Sequence, residues 1–485
     1  MNQLPVKTAL SRLGRAFDRL VELKADRRLF LVGGALRDLA LGKDPADFDF
    51  AVSGSGIRFA ADFARRIRGR LVVLSEDDDE ARVVWHRTLT FDFNGFGNRT
   101  IADDLSRRDF TINAIACEIL PEGVSELLDP YAGQEDIGRR LIRPVSDSSL
   151  NLDPLRLLRG MRLALELGFE LDAAILRQGE SVSLNHTAAE RIGMELLRIM
   201  EQPGSSRFIE DLVRLGRLRE ILPALGDLLD DADLRRHTLR TYRKIEETIA
   251  APGFFGRFQP EWAAYFDQWT SGEEASEADQ PDPAKAAGLP FRRALLKLAG
   301  LLHDLAKPAT RFTTTKGEVH FYGHDSLGAR RAAEMARDRL RLSRPQVKML
   351  RTLVQEHMRL HLLATAPDLS ERAIRRYFRD LGPEAFGLMI LCYADGWATA
   401  GRTIHLEDTI TRMLEQKRAE DAIVKVRRLV TGHDLIALGL KPGPAFKTIL
   451  EELENLQLEG RIKTTEEGIA YLRTAMPGLF AESDA

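Results

Sequence analysis

The sequence predicts an α+β chain, in which an N-terminal mixed α/β head is followed by a mostly α-helical neck, body and tail. Three observations carry this. Strand-like alternation and short apolar runs gather before about residue 150. Beyond it, long apolar stripes at helical spacing take over, as in DPLRLLRGMRLALELGF and AAERIGMELLRIM. With 485 residues, the chain also exceeds one ordinary domain.

In chain order, residues 29–33 form an apolar run closed by Gly33 and Gly34, and ALRDLALG then has helical spacing up to Gly42, which reads as strand, glycine turn and short helix. DFDFAV alternates acidic and apolar residues, like a half-buried strand, and runs into the turn residues SGSG. RLVVLS and RVVWHRTLTFDF are further strand candidates, while FTINAIACEIL mixes helix and strand signals. Domain limits are expected at 1–150 for the head, 151–225 for the neck, 226–420 for the helical body and 421–485 for the tail. Within the body, WTSGEEASEADQPDPAKAA (269–287) is acidic and nearly devoid of bulky apolar groups, which predicts an exposed, mobile insertion. The tail should hold two helical segments joined by a Gly-Pro turn.

The apolar share of 44% and charged share of 29% fit a soluble globular protein with ample core. The best apolar run, AFGLMILCYA (385–394), is about half a membrane span and stops at Asp395, so no membrane crossing is expected. The N-terminus has no secretory pattern, which points to the cytoplasm. Cys117 and Cys392 each lie in an apolar run and predict buried core thiols rather than a disulfide or thiolate metal site. Seventy basic against 73 acidic side chains leave nucleic-acid binding to local patches.

Chemistry is concentrated in LFLVGGALRDLALGKDPADFDFAV (29–52). Asp47 and Asp49 stand two apart, so on a strand their carboxylates share a face, about 7 Å apart along the chain. Hard oxygen ligands of that kind suit Mg²⁺, which completes its shell with water and substrate phosphates. Gly33 and Gly34 let backbone N–H groups approach a triphosphate, and Arg37 adds charged donors. In DPLRLLRGMR, Asp153 can cap a helix with Pro154 in its first turn, and Arg156, Arg159 and Arg162 recur every third residue as a spiral of cations. Such a ridge suits base edges, ribose and phosphates.

Together these motifs resemble the nucleotidyltransferase head of the class II tRNA CCA-adding and bacterial poly(A) polymerase family. GGALRD stands for its glycine and arginine element, DFD for its metal-binding pair, and RRDFTINA (107–114) for its second element. The resemblance implies that Arg108 and Asp109 contact the incoming nucleotide, Asp109 near its ribose. It further implies that Asp153 and Arg156 read the base as a protein template, although Leu152 replaces the Glu of the family element. ERIGMEL (190–196) matches a further family helix, where Glu190 and Arg191 would brace the neck.

LAGLLHDLAKP, with His303 and Asp304 adjacent on an expected helix, resembles the HD superfamily, whose metal ligands are a His, the His-Asp pair and a later Asp. The counterparts are His237 and Asp395, while His320, His324 and His357 are additional candidates. A second divalent metal and phosphoester hydrolysis are implied there.

The resemblance therefore implies a tRNA nucleotidyltransferase that uses Mg²⁺, CTP and ATP to build the tRNA 3′ end. Poly(A) synthesis is disfavoured, because SEDDDEARVVWHRTLTFDF lacks the basic segment of that branch. The short interval from Asp49 to Arg107 keeps partial CC or A addition open, since relatives without a long loop there tend to add only CC.

Overall fold

The computed structural model describes residues 6–86, 89–121, 123–267, 291–424, 429–440, 443–458 and 461–476. The acidic segment 269–287 lies outside them. The chain divides into two compact units, Met1–Leu362 with Leu381–Thr403, and Leu363–Asp380 with Ile404–Ala485.

The head is built on a seven-stranded sheet in the order β3-β4-β5-β2-β1-β6-β7. Its strands are β1 (Leu29–Val32), β2 (Asp47–Ser53), β3 (Arg70–Ser75), β4 (Glu80–Trp85), β5 (Leu89–Gly97), β6 (Ala116–Leu120) and β7 (Gly123–Val124). Alternation along β2 decides its faces. Phe48 and Phe50 are buried and stack on Phe91 and Phe93 of β5 at 5.9 and 5.4 Å, while Asp47 and Asp49 fall on the opposite face. The parallel register sets Asp47 beside Thr90 and Asp49 beside Asp92.

The helix Gly56–Ile67, which begins on the last glycine of SGSG and escaped the sequence reading, covers the aromatic face with Phe59 and Phe63. Its N-terminus is secured from a distance, since Asp79 accepts from the backbone N–H of Gly56 (2.8 Å) and Ile57 (3.1 Å). RVVWHRTLTFDF is two strands: β4 and β5 pair antiparallel, and the chain turns at His86, whose φ is +49°. FTINAIACEIL resolves into a 3₁₀ turn at Thr111–Asn113 followed by β6. At the sheet's outer edge, β3 leaves Leu71, Val73 and Leu74 exposed beside the acidic run 76–80.

Beyond the head, this unit is helical. The helix carrying the arginines starts at Arg156, later than the Asp153 cap predicts; the Asp153 side chain accepts instead from Leu155 N–H at 3.1 Å, a local turn ahead of the helix. Helices Ala189–Glu201, Ala232–Ala250 and Arg292–Leu302 pack around a buried polar node, in which Lys297 Nζ donates to Glu246 Oε1 (2.9 Å), Ser205 Oγ (3.1 Å) and Gln202 O (2.8 Å). His303 and Asp304 sit just past the end of the helix Arg292–Leu302 rather than inside it, five and four residues before Pro308 opens the next turn. Both cysteines are buried free thiols, as their apolar settings predict.

The second unit has its own core of Val430, Leu435, Ile449, Leu453, Leu456, Ile462 and Leu472. Its helices Gly432–Ala437 and Pro444–Leu458 are the expected pair, the second opening on Pro444, where a missing donor is harmless. Among the described residues no helix is long and apolar enough to cross a membrane.

Candidate functional site

A cleft of about 1390 Å³ opens on the polar face of the sheet, between β2, β4, β5 and the helix Arg156–Leu167. It is lined by Gly34, Arg37, Asp47, Asp49, Arg108, Asp109, Asp153, Arg156, Arg159 and Arg162. Gly33 lines an adjoining recess of about 230 Å³ shared with Asp49, Arg108 and Asp109. The residues singled out in the two sequence motifs and in RRD therefore converge on one place.

Gly33 holds that place tight. Its φ is +73°, and a Cβ there would come within 2.9 Å of Arg108 Nη1 and 3.2 Å of Asp49 Oδ2. Only a glycine lets the β1 turn bring guanidinium and carboxylate against the backbone. Asp47 is exposed and accepts from the Thr90 hydroxyl. Asp49 is largely enclosed; burial, then the neighbouring Asp92 carboxylate, push its carboxyl up to about 6, against a smaller lowering by Arg108. Excess negative charge on hard oxygens is the setting a divalent cation relieves, so the residues present fit a metal.

Asp92 and Arg82 are the members of the site that sequence reasoning missed. Arg82 on β4 donates to both oxygens of Asp92 at 2.8 and 2.7 Å, a fork-to-fork pair beside the acidic face. The signal was present in TFDF, which repeats the acidic and apolar alternation of DFDF, but its registration against β2 is not visible in one dimension.

The arginines are less free than their spacing implied. Arg37 pairs with Asp38 at 2.8 Å and donates to Asn113 Oδ1 at 2.8 Å. Arg108 bonds Asp104 at 2.9 Å. Arg156 donates to the carbonyls of Arg108 (3.1 Å), Arg107 (2.5 Å) and Ser149 (3.1 Å) and to Ser149 Oγ (2.9 Å), which ties the RRD backbone to the arginine helix. Arg159 lies 2.7 Å from Asp109, and Arg162 pairs with Glu195 at 2.7 Å and Glu166 at 2.6 Å. Desolvation raises the Asp109 carboxyl, but Arg159, the Asn113 amide and the Phe110 N–H together bring it below its ordinary value. Asp153 is paired with Arg191 of the helix Ala189–Glu201 at 2.8 Å.

A second cluster lies in the helical body. His237, on the helix Ala232–Ala250, has its Nε2 3.2 Å from His303 Nε2, 3.5 Å from Asp304 Oδ2 and 3.1 Å from Asp395 Oδ1. His324 and His357 approach the other oxygen of Asp304 at 3.6 and 3.7 Å. His361, which the sequence reading passed over, bonds Asp395 Oδ2 at 2.9 Å. His320 takes no part; its ring stacks on Tyr322, with centroids 5.2 Å apart. Burial disfavours charge on His303, but the Asp304 and Asp395 carboxylates outweigh it and lift its value to about 10. Burial and the neighbouring His303 charge push His357 down to about 4.

Comparison with known proteins matches both the head and the helical body. Residues 29–143 match the model of the Poly A polymerase head domain and residues 272–412 that of the HD domain. A tRNA nucleotidyltransferase domain 2 model covers 386–472. The CC-adding tRNA nucleotidyltransferase of Thermus thermophilus is 33% identical over 91% of this chain and 92% of its own length. The A-adding tRNA nucleotidyltransferase of Deinococcus radiodurans is 32% identical, over 91% and 94%. The solved structure of the Thermotoga maritima CCA-adding enzyme complexed with tRNA shares the fold, with a TM-score of 0.57 over 97% of this chain and 98% of that one, at 20% identity. With such identity sustained over nine-tenths of both chains, the protein belongs to the class II tRNA nucleotidyltransferase family.

Proposed function

We propose that the protein extends the 3′ end of tRNA by CMP and AMP, using Mg²⁺, CTP and ATP. The observation that carries this is the convergence of Asp47, Asp49, Arg108, Asp109 and the arginine helix on a single cleft. Asp47 and Asp49 would hold the ion. When bound, Mg²⁺ supplies charge stabilisation to the attacking and leaving oxygens of an in-line displacement. The turn at Gly33 and Gly34 offers backbone N–H groups to the phosphates, with Arg37 and Arg108 beside them. Asp109 is locked in place by Arg159 and Asn113, so that it meets the ribose without rearranging. Asp153 and Arg156 read the base. Because Arg156 spends its donors on Arg107, Arg108 and Ser149, base reading and the position of RRD are coupled through one side chain.

The relatives divide between CC-adding, A-adding and multifunctional CCA proteins, so product length is the quantity to measure. Incubation with tRNA lacking its 3′ CCA, Mg²⁺ and labelled CTP or ATP, followed by sizing on a gel, separates CCA, CC, A and long poly(A) products. No incorporation in any combination would reject the assignment.

A second reading is favoured by the imidazole and carboxylate cluster. His237, His303, Asp304 and Asp395 would hold a divalent cation for phosphoester hydrolysis, because imidazole-rich sets suit borderline transition metals better than Mg²⁺. Release of phosphate from p-nitrophenyl phosphate, or opening of a 2′,3′-cyclic nucleotide to the nucleoside monophosphate, with Co²⁺ or Ni²⁺ and lost on His303→Ala, tests it.

A further inference from the structure

We propose that Arg82 grips the last internucleotide phosphate of the tRNA acceptor strand and so sets the attacking 3′ end beside Asp49; this rests on reading the cleft as the tRNA-extending site.

The order of the strands carries the assignment. One register row crosses four of them: Val32 of β1 lies opposite Asp49 of β2, Asp49 beside Asp92 of β5, and Asp92 opposite Arg82 of β4. At about 4.8 Å per strand the row spans about 14 Å, and its chemistry changes along it. The β1 end runs directly into the turn at Gly33 and Gly34, where Arg108 approaches the backbone, so this end suits a triphosphate. Asp49 stands next, with Asp47 two residues before it on the same face. Asp92 and Arg82 close the row on the far side.

In-line displacement fixes what enters on that side. The tRNA 3′ oxygen forms a bond to the α-phosphorus of the nucleotide while the bond from that phosphorus to pyrophosphate breaks, and the hydroxyl gives its proton to water. Attacking and leaving oxygens lie on opposite sides of the phosphorus. With pyrophosphate leaving on the β1 side, the acceptor strand comes in over β5 and β4. Its last internucleotide phosphate, one nucleotide behind the attacking hydroxyl, then falls to β4.

Arg82 is built to meet that phosphate. Among the described residues it is the only cation that β3, β4 and β5 contribute to the lining of the cleft. Its Nε and Nη2 donate to the two oxygens of Asp92, which holds the guanidinium in one plane, while Nη1 has no acceptor among the described residues. A guanidinium has donors to spare beyond one fork, and a planar fork suits phosphate as well as carboxylate. The Arg82 side chain is 37% exposed against 15% for Asp92, so the guanidinium is the open end of the pair. Asp77, Asp78 and Glu80 line the cleft beside it. They repel a polyanion everywhere on this wall except at Arg82, so one cation selects the register of the strand as well as holding it. A counter-ion for Asp92 alone would need only the edge already in use.

The test pairs the parent and Arg82→Gln with two tRNAs truncated at the 3′ length that the parent extends. Both tRNAs carry a 2′-deoxy penultimate sugar, and one has a neutral methylphosphonate at its last internucleotide linkage. The parent should lose about tenfold in kcat/KM on the neutral linkage. Arg82→Gln should lose about tenfold on the charged tRNA, through KM for tRNA, and about nothing further on the neutral one. Arg82→Lys, which keeps the charge, should recover part of that KM. Binding of CTP with Mg²⁺ in the absence of tRNA should be equal in parent and Arg82→Gln, which also shows that the variant folds. The slope of log tRNA affinity against log salt should fall by about 0.7 in Arg82→Gln, the share of one single-stranded phosphate. Losses that multiply, a parent indifferent to the neutral linkage, or a fall in kcat with KM for tRNA and the salt slope unchanged would each overturn the contact, the last leaving Arg82 as a counter-ion for Asp92. No incorporation by the parent on any tRNA would reject the reading of the cleft and the contact with it.

Discussion

Arg159 places its guanidinium 2.7 Å from the buried carboxylate of Asp109, whose other oxygen accepts from Phe110 N–H at 2.8 Å and Asn113 Nδ2 at 3.1 Å. Removing one member strands the other charge. Asp109→Ala is expected to cost about 3–5 kcal/mol of stability, and the double change Asp109→Leu with Arg159→Met to recover much of it without restoring incorporation. Thermal unfolding of the singles and the double tests this. Full stability in Asp109→Ala would mean that the pair is not closed in solution.

Asp49 works against folding. Its carboxyl is raised from 3.8 to about 6, so the folded state holds the proton more tightly than the unfolded chain. Metal-free protein should therefore gain stability from this group as pH falls from about 6 toward 4, and Asp49→Asn should be more stable than the parent at pH 8 by about 1–3 kcal/mol. The same variant should incorporate no nucleotide, a site that trades stability for function. Asp92→Asn should move the parent's pH dependence toward lower pH, because Asp92 is the largest charge raising Asp49. Denaturation midpoints measured at several pH values in EDTA give the slopes.

Gly33 and Gly42 share a φ of +73°, but a Cβ at Gly42 meets nothing within 4 Å. Gly42→Ala should cost only about 1 kcal/mol with unchanged kinetics. Gly33→Ala carries the same backbone strain and also displaces Arg108 and Asp49, so kcat/KM should fall by a further factor of about 100, equivalent to about 2.7 kcal/mol. Equal kinetics for the two variants would remove Gly33 from the site.

Arg156→Lys keeps the charge but cannot reach four acceptors in a fixed fork. Incorporation of CTP and ATP should drop by about 10²-fold, and discrimination against UTP and GTP should weaken with it. Misincorporation ratios on one tRNA substrate report the second effect. A lower rate with selectivity intact would make Arg156 a fastener of RRD alone.

Much of this site was legible before the fold was known, because its residues come in short runs whose spacing survives folding. Asp47 and Asp49 share a face by the two-residue period of a strand, and RRD and DPLR each form one continuous piece. What escaped depended on pairing between distant segments. Asp92 matters because a parallel register sets it beside Asp49, and Arg82 because β4 turns back antiparallel beside β5. The spacing presents the arginines as a spiral of cations, yet Asp109 and Glu195 neutralise Arg159 and Arg162 from other elements, with Glu166 joining Arg162 from one turn along the same helix. The His-Asp pair was expected inside a helix, since LAGLLHDLAK keeps helical spacing to its end; the break comes from the turn into Pro308.

The outer strand of the head carries a colloidal consequence. Among the described residues β3 pairs with β4 alone, and an outer edge with three solvent-facing aliphatic side chains is a template on which a second molecule can zip. Glu76 and Asp77, at the tip of the same hairpin, set like charges against each other in any such approach and act as gatekeepers. Two neutral substitutions, Glu76→Gln and Asp77→Asn, should therefore lower the protein concentration at which light scattering rises, while leaving the unfolding midpoint where it was.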